Sequence, residues 1–203
     1  MKVYAKVRKH GEYHSQNIAH AVFGFREMGA EIVKYEVIDE IYDAVTDEDI
    51  VLDYIDQVQT ILDKFHVKRV CEDYPAALRP FMGRRIWTDY IDAINANPKK
   101  WGVFVKPVRD KAFTGKVING PRDLIGCVAA AFCTIPNRPM GCSIDFAVTV
   151  KDGKQQTIFL EMNDGYALGN YGLYHLSYAK LISARWSQLL GREDVFDFRK
   201  FLG

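Results

Sequence analysis

The chain has 203 residues, 48% apolar and 26% charged, enough for one large or two small globular domains. Its formal net charge of +1 does not by itself suggest a nucleic-acid or membrane surface. No apolar stretch approaches the ~20 residues that span a bilayer, and the alternating, charged opening Met1–Arg8 does not read as a signal peptide.

Lys2 to Arg8 reads as a strand with Val3, Ala5 and Val7 on one face. Ser15 is placed to cap a helix carrying Ile18, Ala21, Val22, Phe25 and Met28 at helical spacing, and Gly29 is a natural stop. Glu31 to Val37 alternates again, so the order strand–helix–strand predicts a parallel α/β unit. Thr46-Asp-Glu-Asp49 resembles a capping box with Asp in place of Glu or Gln. The apolar positions from Ile50 through Phe65 then predict one long amphipathic helix.

Val67 to Cys71 suits a short strand and Ala76 to Ala96 a helix with a break at Gly83. The polar, proline-containing Asn95–Lys100 marks a linker, which divides the chain into an N-terminal α/β domain (1–97) and a second domain (98–203). Trp101 to Pro107 reads as a strand, Lys111 to Val117 as a loop with a glycine beside a hydroxyl, and Leu173 to Leu190 as a closing helix.

The chemistry concentrates on a hairpin. Cys142–Val150 and Thr157–Asn163 alternate around an Asp152-Gly153 turn. Glu161 and Asn163 share a strand face while Leu160 and Met162 take the other, so an acid and an amide present oxygens that a hard cation such as Mg²⁺ accepts. Asp145 on the first strand completes a three-oxygen set only if it faces the same way. A symmetric turn pairs it with Leu160, whereas an odd loop or a bulge pairs it with Glu161. The odd case is expected, as a three-residue loop with Gly153 left-handed.

Magnesium held by carboxylates commonly holds substrate phosphates too. Lys106, inside an apolar run next to Pro107, suits a phosphate partner; a lysine snorkelling from an edge strand is the other reading. Thr114-Gly115 offers backbone N–H groups to phosphates. No Walker, Gly-x-Gly-x-x-Gly or Gly-x-Ser-x-Gly motif occurs. The four cysteines (Cys71, Cys127, Cys133, Cys142) form no Cys-x-x-Cys pair, so they read as buried free thiols in a reducing compartment, and a cytoplasmic location is expected. The five histidines show no ligand spacing.

Phe104-Val-Lys106-Pro, Lys111-Ala-Phe-Thr-Gly115, Ser143-Ile-Asp145-Phe and Glu161-Met-Asn163-Asp-Gly-Tyr-Ala-Leu-Gly-Asn-Tyr-Gly172-Leu together resemble the ATP-grasp superfamily, and within it a little-characterised bacterial and phage domain family. The resemblance spans roughly residues 70 to 190. It implies an α+β clasp preceded by an N-terminal α/β domain. It also implies an ATP- and Mg²⁺-dependent ligase that activates a carboxylate as an acyl-phosphate and joins it to an amine.

Under that resemblance Lys106 and Lys111 contact ATP phosphates, Thr114 and Gly115 lie in the loop over them, and Asp145, Glu161 and Asn163 hold Mg²⁺. Arg84, with Arg79 and Arg85, is a candidate for a substrate carboxylate or phosphate; a solvated basic face is the alternative. Partners would be small-molecule or peptide carboxylates and amines, and a homodimer is compatible with the sequence. The family pattern also calls for a stretch between the glycine loop and the metal hairpin. Here Asp123-Leu-Ile-Gly-Cys127 runs almost directly into Val128–Phe132. A degenerate clasp that binds nucleotide or protein without ligase activity is the competing expectation.

Overall fold

The computed structural model of the chain describes residues 1–68, 74–82, 129–194 and 196. Strand β1 (Lys2–Lys6), helix α1 (Gln16–Glu27) and strand β2 (Glu31–Tyr35) form the expected crossover unit, with β1 and β2 parallel and Val3 opposite Ile32. The Ser15 hydroxyl accepts from the Ile18 N–H at 3.2 Å, and Gly29, at φ 81°, turns the chain out of α1. A short helix α2 (Asp39–Tyr42) follows.

The long helix expected from Ile50 to Phe65 is two elements. Ile50–Leu52 is a strand, β3, parallel to β1 on the side away from β2, and the helix proper, α3, runs only over Ile55–Lys64. Ile50, Val51 and Leu52 are consecutive and all buried. A run with no polar face has none to give to water and suits a covered parallel strand better than an amphipathic helix. The Thr46–Asp49 signal closes the turn into β3 instead of capping a helix. Asp49 accepts from the Thr46 N–H (3.0 Å), the Thr46 hydroxyl (2.8 Å) and the Lys2 N–H (2.9 Å). Backbone N–H donors of Thr46 and Lys2 hold the Asp49 carboxyl below its usual range although burial pushes the other way.

The chain divides into two compact units. One contains residues 1–73, 136–144 and 162–203; the other contains 74–135 and 145–161. The linker expected at 95–100, with its boundary at 97/98, lies outside the described residues, as do the strands expected at 67–71, in its last three positions, and at 101–107.

In the first unit the closing helix α4 (His175–Leu189) lies against α1. They cross at Gly24, where a Cβ would stand 2.3 Å from the His175 carbonyl oxygen and 2.6 Å from the Ala179 Cβ. Trp186 is fully buried and its indole N–H donates to the Asp49 carbonyl, tying α4 to the entry of β3. His175 pairs with Glu27 at 2.8 Å.

In the second unit the helix expected from Ala76 opens as a 3-10 turn, Arg79–Phe81, with Pro80 in its first positions; its continuation lies outside the described residues. Strands β4 (Cys142–Lys151) and β5 (Lys154–Asp164) pair as a two-stranded sheet and run through both units.

Candidate functional site

The turn that joins β4 to β5 is two residues, Asp152 and Gly153, both left-handed at φ 52° and 73°. The three-residue loop expected from the sequence is therefore not formed. Asp-Gly is the pair that tolerates two consecutive positive φ values, and such a turn matches the natural twist of paired strands. The Gly165 N–H donates to the Gly141 carbonyl at 3.0 Å, so these glycines face each other at the base of the hairpin. β4 is ten residues long and β5 eleven, and both glycines lie just beyond the strands. Along β5, Ile158, Phe159, Met162 and Asp164 are all buried.

Asp145, Glu161 and Asn163 are each half-buried on these strands. The Tyr74 hydroxyl donates to Glu161 Oε2 at 3.2 Å, and the Tyr74 carbonyl accepts from Arg79 Nε at 2.9 Å. Among the described residues no three His, Cys, Asp or Glu gather as a metal site; the set expected from the sequence has two carboxylates and one amide. That donor chemistry, all oxygen and partly desolvated, fits Mg²⁺ and not a softer metal.

Lys106, Arg84, Arg85, Lys111, Thr114 and Gly115 lie outside the described residues. Two cysteines are described. Cys133 is exposed, which corrects its expected burial; the half-buried Cys142 thiol is pushed up to about 11 by burial and then by the nearby Asp164 carboxylate.

Sequence reasoning passed over Asp164 and Arg185. Asp164 is fully buried and Arg185 nearly so; Arg185 Nε and Nη2 both reach Asp164 Oδ2, at 2.9 and 2.8 Å. The available signal was Arg185 within the apolar face of α4, between Ile182 and Trp186, where a lone charge demands a partner.

Two overlapping stretches, residues 81–134 and 126–181, match the ATP-grasp domain of R2K clade family 2. The chain carries an ATP-grasp domain. The first stretch contains Arg84, Lys106, Lys111, Thr114 and Gly115; the second contains Asp145, Glu161 and Asn163. The ATP-grasp match changes over at 126–134, where Asp123–Cys127 runs directly into Val128–Phe132. No curated protein and no solved structure matches the chain. Among the described residues no helix is long and apolar enough to cross a membrane.

Proposed function

We propose that the protein is an ATP- and Mg²⁺-dependent ligase that phosphorylates a carboxylate and joins the resulting acyl group to an amine. The observation that carries this reading is the family match, which contains every expected ligand residue and suggests ATP-dependent ligase-type chemistry. Asp145, Glu161 and Asn163 would hold Mg²⁺. When bound, the ion supplies charge neutralisation at the phosphates. Lys106 and Lys111 would bind phosphate oxygens, and Thr114-Gly115 would cover them with backbone N–H groups. Arg84 would orient the substrate carboxylate for attack on the γ-phosphate. ADP then departs, and the amine displaces phosphate from the acyl-phosphate with loss of a proton.

The changeover of the match at 126–134 favours one second reading, a clasp that binds nucleotide without ligating. Thermal unfolding with and without Mg-ATP tests the shared part. At 100 times Kd, binding stabilises by about 2.7 kcal/mol, which raises the midpoint by about 5–10 °C in a chain of this size. No shift at millimolar Mg-ATP refutes both readings. ADP release dependent on an amino-acid panel, lost in Glu161→Gln, separates the ligase from the binding module.

A further inference from the structure

Glu161 and Asn163 can serve a cation only if β5 keeps one parity. A slip of one residue would turn both to the opposite face. The two-residue turn sits at the opposite end of β5 from Asp164, and the two strands differ in length by one residue, so the turn alone does not fix that parity at the base of the hairpin. Something beyond the turn must hold it.

We infer that the buried Asp164–Arg185 pair is that lock, and that Asp164, Arg185 and Gln188 are positioning residues for the metal-binding strand. The inference rests on the ATP-grasp ligase reading above. Asp164 directly follows Asn163, so its side chain leaves the strand on the opposite face. There it meets α4. Oδ2 takes both nitrogens of Arg185, and Oδ1 accepts from the Tyr166 N–H at 2.9 Å, which closes the 3-10 turn Gly165–Ala167.

Arg185 Nη1 donates to Gln188 Oε1 at 2.8 Å. The same oxygen accepts from the Met140 N–H at 2.8 Å, and Gln188 Nε2 donates to the Arg138 carbonyl at 2.8 Å. One helix thus grips the chain just before β4 and just after Asn163. The two glycines at the base let the strands approach: a Cβ on Gly141 would meet the Leu181 carbonyl oxygen at 2.3 Å, and one on Gly165 the Leu181 side chain at 2.8 Å.

The alternative register is penalised by charge. A slip that moved Asp164 away from α4 would leave Arg185 buried without its carboxylate, and an uncompensated buried charge is strongly unfavourable. Met162, fully buried on the same face as Asp164, adds an apolar term of the same sign. With Met162 and Asp164 held inward, Glu161 and Asn163 face the other way.

The test uses the full chain with Mn²⁺ as a spectroscopic stand-in for Mg²⁺, measuring Mn-ATP affinity and amide hydrogen exchange along β5. Asp164→Asn and Arg185→Met are expected to weaken Mn-ATP binding about 10–100-fold, the usual loss when a group supporting a metal ligand is removed. They should also speed exchange at residues 160–164. Gln188→Ala, a milder change at a half-buried position, should weaken binding severalfold and keeps the test open if the charge variants do not fold. Gly24→Ala loosens α4 on its other face and controls for general destabilisation; its affinity should stay within about twofold of wild type, since it leaves the pair in place.

Affinity and exchange within twofold of wild type in the folded clamp variants overturn the inference, as does an equal loss in Gly24→Ala. Failure of the ligase reading looks different: wild type itself then binds no Mn-ATP, and the metal role of the lock falls with it.

Discussion

Gly24→Ala is the substitution whose sign the structure decides. In an exposed helix the change would stabilise by roughly 1 kcal/mol, because alanine is the better helix former. Position 24 is inside α1 and buried, and an added Cβ would sit 2.3 Å from the His175 carbonyl oxygen, 2.6 Å from the Ala179 Cβ and 2.8 Å from the His175 carbonyl carbon. Two of these obstacles are backbone, so no side-chain rotation relieves them. The helices must separate by about 1 Å to restore ordinary contact distances.

Overpacking of a closed core costs about 1–3 kcal/mol, and an unyielding backbone belongs at the upper end. Subtracting the propensity gain leaves a net loss of about 2 kcal/mol, or about 4–8 °C in the midpoint of a domain of this size. Urea unfolding followed by tryptophan fluorescence measures it directly, since Trp186 is buried on α4. An unchanged or raised midpoint refutes the argument, because it would mean that α1 and α4 do not approach at Gly24.

Gly153→Ala places a Cβ on a residue at φ 73° and should cost about 1–2 kcal/mol, read as a lower midpoint; no loss would show that the two-residue turn is not the one formed. The raised Cys142 thiol predicts an alkaline limit. Below pH 9, its value in an unfolded chain, the thiol is protonated in both states and stability is flat. Above pH 9 the unfolded chain releases a proton that the folded chain keeps until about 11, so stability falls as pH rises through that window. Cys142→Ala should flatten the slope; an unchanged slope would assign it to other groups. Exposed Cys133 should react with Ellman's reagent before Cys142, and the reverse order would refute the burial.

Local elements were legible where one helix or strand carried its own signal. Ser15 and Gly29 bracket α1 because capping and left-handed stops are properties of single residues. Glu161 and Asn163 stand out as a pair because period two is intrinsic to a strand. The family itself follows from residue strings along 81–181.

Other choices belonged to the tertiary structure. Ile50–Leu52 joins α3 in apolar periodicity, and only the open side of β1 makes it a strand. The Asp152-Gly153 turn spans two residues where three were expected, because its length depends on how the two strands meet. Asp164 and Arg185 are 21 residues apart, and their pairing exists only once α4 lies against the base of the hairpin. Local sequence sets backbone preference and the chemistry on offer. The faces, registers and buried partners depend on which distant surface each element must cover, and chain order alone does not encode that.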